Sequence, residues 1–283
     1  MDYVYLNGEF VARAEATMDI EDRGVLFGDG VYEVLRFFNG RPFAMAEHVA
    51  RLKRSMATIE LPESENTKRL EAASEELVER NRITEAKVYW QVTRGTAPRD
   101  HAIPPGLRPN VLIITYPAQS LDIKAPPRKL TATLVEDRRW HLCAVKSLML
   151  LPNVLAMREA SNRGANVPIL HRGQIVTEGA VANVLIVRNG ELHTHPANQW
   201  ILEGVTRGIV LGLARTLGLT AHERTFTIDQ LLRADEAIMC GTTTNIEAVI
   251  EVDGQLISGG SIGPITRQLH QALLAKIAQD CRL

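Results

Sequence analysis

The stretch Leu142–Leu151, LCAVKSLMLL, places a lysine in the middle of an apolar run. Eight of these ten residues are apolar, and only Lys146 and Ser147 are not. A charged ammonium group is costly to bury unless it is paired, reaches solvent through its flexible stem, or loses its proton. Any fold of this chain must therefore provide for the Lys146 amine. Because exposed lysines far outnumber reactive ones, a lysine at a strand end with its amine in water is the simplest interpretation.

The alternative is a lysine that forms a Schiff base. Desolvation lowers the pKa of a lysine, and a neutral amine is what reaction with an aldehyde requires. Such chemistry needs an electron sink, and in pyridoxal phosphate (PLP) the sink is the pyridine ring, whose nitrogen is kept protonated by a neighbouring carboxylate. Glu178, in the segment Thr177–Asn183 between two strand-like runs, suits that carboxylate, although a glutamate before a glycine also suits an ordinary turn.

Four segments of the chain resemble successive motifs of the fold-type IV PLP enzymes. They are LCAVKSLMLLPNVLAMREA from Leu142, ILHRGQIVTEGAVANV from Ile169, THPANQWILEGVTRGIV from Thr194 and CGTTTNIEAV from Cys240. Within that group the chain is most similar to the D-amino-acid aminotransferases, and the resemblance covers essentially the whole chain. It implies an α+β fold of two domains, with the cofactor at the domain interface. The N-terminal α/β domain is expected to be small, and the C-terminal domain larger and β-rich with peripheral helices.

Composition sets the class of protein. The chain has 283 residues, of which 45% are hydrophobic and 23% charged, and its net charge is −1. These values are typical of a soluble globular protein long enough for two domains, and they give no reason to expect nucleic acid or an anionic membrane as a partner. No apolar run approaches the ~20 residues that span a bilayer, and the N-terminus lacks the features of a secretory signal. The three cysteines form no metal pattern and indicate reduced thiols in a cytoplasm, so no metal is expected.

Turn signals and periodicity divide the chain into two parts. Asn7-Gly8 and Asn39-Gly40 each predict a hairpin, while Val49, Leu52, Met56 and Ile59 predict a helical stripe. The same signals predict a helix over 67–81 with Leu70, Ala73, Leu77 and Val78 inward. They also predict strands at 86–93, 111–115, 167–170, 174–176, 182–187, 191–194, 236–240 and 249–252, and helices from Pro152, over 206–217, 227–232 and 264–281. The proline-rich Pro117–Pro127 is the best linker candidate. We therefore predict a domain over 1–118, a linker over 119–127 and a domain over 128–283.

The resemblance assigns the cofactor-binding residues. It implies that Lys146 is the Schiff-base lysine and proton shuttle, that Glu178 holds the ring nitrogen, that Leu202 packs against the back of the ring, and that Arg51 binds the phosphate. The phosphate also suits the helix start at Gly204, Val205 and Thr206, and the hydroxyls of Thr242 and Thr243, because helix N-termini, glycines and hydroxyls bind anions. Ordinary capping and turn chemistry explains the same residues equally well without the resemblance.

The resemblance also assigns the substrate carboxylate to Tyr32, Arg99 and His101. A guanidinium binds a carboxylate bidentately, and phenol and imidazole donate further hydrogen bonds. In related enzymes the arginine and histidine come from the neighbouring subunit, which implies a homodimer with shared active sites. A solvated basic loop beside a strand tyrosine is the alternative.

Two segments depart from the pattern of the D-amino-acid aminotransferases. Ala180-Val181-Ala182 stands where a serine-rich stretch is expected, and Gly241 replaces a serine. Hydroxyl groups near cofactor and substrate are lost, so the preferred side chain of the substrate is open.

The predicted activity is PLP-dependent transfer of an amino group between a D-amino acid, of the D-alanine or D-glutamate type, and a 2-oxo acid in two ping-pong half-reactions. Branched-chain L-amino-acid aminotransferase, (R)-amine transaminase and 4-amino-4-deoxychorismate lyase activities are alternatives within the same fold. A non-catalytic PLP-binding protein is the alternative of a different class.

Overall fold

The computed structural model describes residues 2–283. Contacts within the chain group it into two compact units. The first comprises the residues up to Leu121 together with Val145–Met149 and Gln279–Leu283, and the second comprises Asp122–Ala144 and Leu150–Ala278. Lys146 thus belongs to the first unit although the second unit begins before it in sequence. The predicted limits 1–118, 119–127 and 128–283 remain predictions.

Within residues 2–283, the first unit contains an antiparallel six-stranded sheet in the order β2-β1-β6-β5-β3-β4. Its elements in chain order are β1 (Tyr3–Leu6), β2 (Glu9–Ala12), α1 (Arg23–Phe27), β3 (Gly30–Phe38), β4 (Arg41–Pro42), α2 (Met45–Thr58), α3 (Glu65–Lys68), α4 (Leu70–Arg80), β5 (Ala86–Thr93) and β6 (Asn110–Pro117).

Both hairpins predicted from the sequence are present. Asn7 and Gly8 take φ of 50° and 106°, and Asn39 and Gly40 take 49° and 71°. A two-residue turn with two positive φ values matches the twist of the paired strands, which is why Asn-Gly is so strong a signal. The second hairpin is short: β4 ends at Pro42, because Ala44 turns into the left-handed region (φ 55°) and α2 begins at Met45.

Helix α2 buries a face that is only partly apolar. Leu52 and Met56 are buried as predicted, whereas Val49 and Ile59 are half-buried. The remaining buried residues of the helix are polar: His48, Arg51 and Ser55. Their spacing of three and four residues puts them on one side of the helix.

Helix α4 confirms the predicted inward residues Leu70, Ala73, Leu77 and Val78, all of which are buried. It begins later than predicted. A capping box in which Ser64 and Thr67 bind each other's backbone N–H begins a separate short helix, α3, which ends at Lys68 before α4 starts at Leu70.

The second unit contains, within the described residues, a nine-stranded mixed sheet. Its strand order is β12-β11-β10-β13-β14-β7-β8-β9, with β15 on β14. Its elements are β7 (Lys129–Glu136), α5 (Leu151–Asn162), β8 (Val167–Arg172), β9 (Ile175–Gly179), β10 (Asn183–Arg188), β11 (Glu191–Thr194), α6 (Val205–Thr216), β12 (Ala221–Glu223), α7 (Ile228–Leu232), β13 (Glu236–Gly241), β14 (Asn245–Val252), β15 (Gln255–Leu256) and α8 (Pro264–Cys281).

Strand β10 lies inside this sheet and is buried on both faces from Asn183 to Val187. Such a strand is a continuous apolar run, which explains why it was recognisable in sequence. The short edge strand β12 was not predicted. It pairs in parallel with β11, and nothing in its three residues alone indicates a strand.

The apolar stretch Leu142–Leu151 forms no regular strand. Ser147 forms an isolated bridge with Val31 in the first unit, and the Leu148 N–H donates to the Gly30 carbonyl. The strand-end interpretation of Lys146 is therefore wrong. Among residues 2–283, no helix is long and apolar enough to cross a membrane.

Candidate active site

Lys146 is fixed through its backbone beside strand β3. The Tyr32 N–H donates to the Lys146 carbonyl at 2.9 Å, and the Lys146 N–H donates to Ser55 Oγ at 3.2 Å. The Lys146 side chain is half-buried, and its Nζ lies 4.2 Å from the centroid of the Tyr32 ring. A cation or amine over an aromatic face is held electrostatically by the ring. The structure thus brings together Lys146 and Tyr32, two of the predicted site residues.

Arg51 is locked to a buried carboxylate that sequence analysis missed. Its Nε and Nη2 donate to Glu33 Oε1 and Oε2 at 2.7 and 2.8 Å, and His48 Nδ1 lies 2.8 Å from Glu33 Oε2. Glu33 is fully buried. Burial alone would raise the pKa of Glu33, but the charge and hydrogen bonds of Arg51, with the help of His48, lower it to about 2. The Arg51 guanidinium is thereby held in one orientation.

His48 completes this cluster as a neutral imidazole. Burial lowers the pKa of His48, and the charges of Arg51 and Lys146 lower it further, against the opposing effect of Glu33. A signal for the cluster exists in the sequence. Glu33 alternates with the buried Val31 and Leu35 on one face of β3, so its carboxylate points inward and requires partners.

Arg99 and His101 lie on an exposed loop of the first unit and share one aromatic contact. The Arg99 guanidinium carbon lies 5.4 Å from the centroid of the Phe27 ring, and the His101 ring centroid lies 5.3 Å from it. Within residues 2–283, no carboxylate pairs with Arg99. Its charge therefore remains available to an anion from outside these residues.

The backbone of this loop is held by Arg23, which is only 4% exposed. Arg23 Nη1 donates to the carbonyls of Asp100 and Ala102 at 2.7 and 3.3 Å, and Arg23 Nε donates to Asp29 Oδ2 at 2.9 Å. Buried arginine hydrogen bonds to carbonyls satisfy the loop's acceptors and fix its path. Arg23 was not predicted from the sequence as a residue of the site.

In the second unit, Glu178 is buried and receives three hydrogen bonds from described residues. Oε1 accepts from Arg139 Nη1 at 2.6 Å and from the Leu202 N–H at 3.0 Å, and Oε2 accepts from Asn183 Nδ2 at 2.9 Å. Burial raises the pKa of Glu178 above its usual range, opposed chiefly by the charge of Arg139. The turn interpretation of Glu178 is wrong, since it lies at the end of strand β9.

Arg139 is in turn fixed by Asp137. Its Nε and Nη2 both donate to the Asp137 carboxylate at 2.9 Å, and Thr177 Oγ1 donates to the same group at 3.1 Å. Burial would raise the pKa of Asp137, but the hydrogen bonds and charge of Arg139 lower it overall. The result is a buried chain of alternating charge that ends at Glu178. Sequence analysis missed both residues; the charged run Glu136–Arg139 at the end of a strand was the available signal.

Helix α6 begins directly beside Glu178. The Asn183 amide that donates to Glu178 also donates to the Leu202 carbonyl at 2.9 Å, and a Cβ added at Gly204 would collide with Asn183 Oδ1. Only glycine therefore fits at this N-cap position. Since Gly204 has no side chain to cap the helix, the N–H groups at Val205 and Thr206 keep the character of an anion site.

Thr242 and Thr243 lie in the turn between β13 and β14, half-buried and exposed respectively. The two departures from the D-amino-acid aminotransferase pattern meet at this turn. A Cβ at Gly241 would lie 3.4 Å from the Val181 carbonyl and 3.6 Å from Ala182 Cβ. A serine at position 241 would thus face the segment Ala180-Val181-Ala182. Both departures therefore remove hydroxyl groups from the same part of the second unit, beside this turn.

Comparison with known proteins identifies the family. The family model described as "Amino-transferase class IV" matches residues 30–252 of the chain. The chain is 41% identical over 277 residues to a D-alanine aminotransferase of Bacillus licheniformis, covering 98% of both chains. A second D-alanine aminotransferase, of Staphylococcus haemolyticus, is 39% identical over 274 residues and 96% of both chains. The chain is a class IV aminotransferase.

Solved structures agree on the fold of this aminotransferase. The branched-chain amino acid aminotransferase of Escherichia coli superposes with a TM-score of 0.92 at 27% identity, covering 99% of this chain and 95% of that one. The predicted two-domain α+β fold of the fold-type IV enzymes is confirmed. The predicted transaminase activity follows from membership of the family.

The side chains present suit PLP, the cofactor of class IV aminotransferases. A buried carboxylate with three fixed donors, next to a helix N-terminus without a side-chain cap, offers one partner for a cationic ring nitrogen and one for a phosphate. In the first unit, taken by itself, the half-buried Lys146 carries an amine of the kind that covalent attachment of PLP requires.

Proposed function

We propose that the aminotransferase binds PLP and exchanges the amino group of a D-amino acid with a 2-oxo acid. The observation that carries this proposal is the buried Glu178 carboxylate, held by Arg139, Asn183 and the Leu202 N–H. A glutamate that served only as a turn residue would not need to be buried with three hydrogen-bond donors. The choice of D-amino acids is supported by the curated relatives, which are D-alanine aminotransferases.

The cofactor-binding roles follow from the contacts of each unit. In the first unit, Lys146 would hold the cofactor covalently, and its amine would move the proton at the substrate Cα; Arg51, oriented by Glu33, would bind the phosphate. In the second unit, Leu202 would pack against the ring, and the phosphate would be bound by the residues of two segments, Gly204, Val205 and Thr206 together with Thr242 and Thr243. When bound, PLP supplies the electron sink for the substrate carbanion and stores the amino group between half-reactions.

Glu178 would keep the ring nitrogen protonated, and Arg139 would keep Glu178 ionised. Burial favours the neutral acid, and a neutral Glu178 has no charge to hold a proton on the ring. The Arg139 guanidinium at 2.6 Å opposes that effect. Asp137 compensates the charge of Arg139, so the arginine stays fixed and does not form a loose counter-ion.

Tyr32, Arg99 and His101 would bind the α-carboxylate of the substrate. Tyr32 lies next to Lys146, while the loop with Arg99 and His101 presents a guanidinium that has no carboxylate partner among residues 2–283. Phe27 holds this guanidinium, and Arg23 holds the loop backbone. A charge of this kind on an anchored loop suits bidentate recognition of a carboxylate.

We also propose a homodimer in which the sites are shared. Helix α5 supports a second copy of the chain as a partner, because three apolar residues of one face, Leu151, Val154 and Leu155, are 67%, 59% and 51% exposed. Contiguous exposed apolar residues mark interaction surfaces.

Light scattering should show a dimer that Leu155→Asp weakens, whereas Leu256→Asp, at a comparably exposed leucine, should leave it intact. A monomeric wild-type protein would refute this part. The cytoplasmic location stays a prediction.

A half-reaction screen tests the activity. Purified holoenzyme is mixed with matched pairs of D- and L-amino acids without an acceptor, and the visible band of the bound cofactor is followed. Fast conversion by D-alanine or D-glutamate, dependent on Lys146, is expected. Conversion only by L-leucine or L-valine would identify a branched-chain amino acid aminotransferase. The solved structure that superposes on this chain is named as such an enzyme.

The same screen, extended to (R)-amines and 4-amino-4-deoxychorismate, has three more outcomes that would each contradict the D-amino-acid assignment. Conversion by (R)-amines alone would indicate an (R)-amine transaminase. Release of pyruvate from 4-amino-4-deoxychorismate would indicate a lyase. Cofactor binding without turnover of any of these compounds would indicate a non-catalytic PLP-binding protein.

A further inference from the structure

Three metal-ligating side chains share one face at the edge of the second unit's sheet. His193 on β11 lies opposite His222 on the edge strand β12, and Glu191 precedes His193 by two residues on the same strand. Side chains of residues paired across two strands lie side by side, and residues i and i+2 point to the same face. The three side chains are thus brought together by sheet pairing itself.

Their geometry is close to that of a metal site. His222 Nε2 lies 3.0 Å from Glu191 Oε2, and the two imidazole rings stack with centroids 4.9 Å apart and an angle of 25° between their planes. One ligand atom from each residue can be chosen so that all three lie within 4.8 Å of one another. Zinc–nitrogen bonds of about 2.0–2.1 Å place neighbouring tetrahedral ligands about 3.3 Å apart. Small side-chain rotations would close the difference.

We infer that Glu191, His193 and His222 form a binding site for a divalent transition-metal ion of the Zn²⁺ type. Two imidazoles and one carboxylate are the ligands that Zn²⁺, Cu²⁺ and Ni²⁺ favour, whereas Mg²⁺ and Ca²⁺ require oxygen ligands. The site lies outside the residues assigned to cofactor and substrate. Its ligands escape a motif search because two strands far apart in sequence supply them.

The charges around the site are compatible with this assignment. Arg188 and Arg224 are close enough to His193 to act on it electrostatically. The two arginines repel a cation. Glu191 supplies the opposing negative charge and is already in contact with His222.

A bound ion would tie the edge strand to its neighbour. Strand β12 has three residues, and next to His222 stands Glu223, which accepts a hydrogen bond from the buried Arg207 at 2.8 Å. The ion would add a second link between β12 and the rest of the unit. Ligands that bind only the folded state raise its stability by mass action.

The test is titration of tag-free, chelator-treated holoenzyme with ZnCl₂, followed by isothermal calorimetry and by the melting temperature. We expect one Zn²⁺ per chain and a rise in melting temperature. His193→Ala and His222→Ala, on separate strands, should each weaken binding at least about tenfold, since even outer-shell changes cost about 10–100-fold. Glu191→Gln should weaken it less. His171→Asn, at a half-buried strand histidine outside the cluster, is the matched control and should bind normally.

Several results would overturn the inference. They are the absence of saturable Zn²⁺ binding, binding by both histidine variants at wild-type affinity, or equally tight binding of Mg²⁺. Circular dichroism of each variant excludes loss of folding as the cause of weaker binding. Replacement of Zn²⁺ by Co²⁺ gives an independent measurement, because nitrogen ligands change the visible absorption of the ion. An unchanged aqueous Co²⁺ spectrum would also contradict the site.

Discussion

Replacing Arg139 with methionine should damage the aminotransferase through Glu178. The change removes one ionic hydrogen bond to Glu178 and two to Asp137, while a side chain of similar length stays in place. Arg172→Met is the matched control. Arg172 also binds Asp137, at 3.2 Å, but it does not contact Glu178 and is more exposed, at 25% against 10% for the Arg139 side chain.

The structure gives the size of the stability effect. Breaking a buried ion pair by removing one partner costs about 3–5 kcal/mol. The lower end applies because Arg172 and Thr177 still bind Asp137, and Asn183 and the Leu202 N–H still bind Glu178. A loss of about 3 kcal/mol corresponds to a fall of roughly 6–12 °C in melting temperature for a chain of this length. Arg172→Met should cost about 1 kcal/mol, as for a partly exposed pair.

The functional effect should depend on pH. Burial raises the pKa of Glu178, and Arg139 is the main opposing charge, so Arg139→Met raises that pKa further. A higher pKa means that Glu178 is protonated up to a higher pH. The half-reaction of Arg139→Met with D-alanine should therefore be slowed most at low pH and should recover partly as the pH rises above neutral. Stopped-flow absorbance of the bound cofactor measures this rate, relative to wild type, at each pH. If Arg139→Met and Arg172→Met slow the reaction equally with the same pH profile, Arg139 does not act through Glu178.

Three further outcomes are expected. Lys146→Ala should abolish transamination and the visible cofactor band without changing the circular dichroism spectrum, and measurable turnover would contradict its role. The pKa of Glu33, about 2 in the fold against 4.5 for a free glutamate, stabilises the folded state by about 3 kcal/mol at pH above about 4.5. This contribution is lost as the pH falls toward 2. Urea unfolding should show the loss in wild type and not in Glu33→Gln. Arg99→Ala should raise KM for amino acids with little effect on amines that lack a carboxylate, and Arg23→Met should do so more weakly by loosening the loop; equal effects on both substrate classes would contradict the carboxylate role.

Local signals determined which parts of the fold were predictable. The Asn39-Gly40 turn needs two positive φ values, which few other residue pairs adopt, so the hairpin could be placed from the turn residues and the β-prone runs beside them. Helix α8 was predicted with its observed limits, Pro264–Cys281. A proline suits its first turn, and its apolar residues recur with a helical period from there to Cys281. Strand β12 was missed, because what makes its residues a strand is the neighbouring β11.

The functional residues divide in the same way. Lys146 and Glu178 could be proposed from sequence, since each stands out against an apolar or strand-like background. Arg139, which contacts Glu178, and Glu33, which contacts Arg51, were not identified, because a charged residue is usually solvated and each contact joins two different elements of the fold. Arg51 was assigned its role by resemblance, but its pairing with Glu33 became visible only in the structure.

In each unit, a residue proposed to bind the cofactor is held by an ion pair: Arg51 by Glu33 in the first, and Glu178 by Arg139 in the second. Removing one partner of such a pair is costly, but the whole pair adds little stability compared with apolar residues of similar volume, because desolvation offsets most of the attraction. Their advantage lies in orientation, since a bidentate or doubly bound guanidinium has few alternative geometries. Loss of activity in Glu33→Gln therefore does not by itself give Glu33 a chemical role. Glu33→Asp keeps the charge but shortens the reach to Arg51, so it should lose phosphate affinity while Arg51 stays ionised. If Glu33 acts by orienting Arg51, a variant that keeps the charge but changes the geometry should lose phosphate affinity.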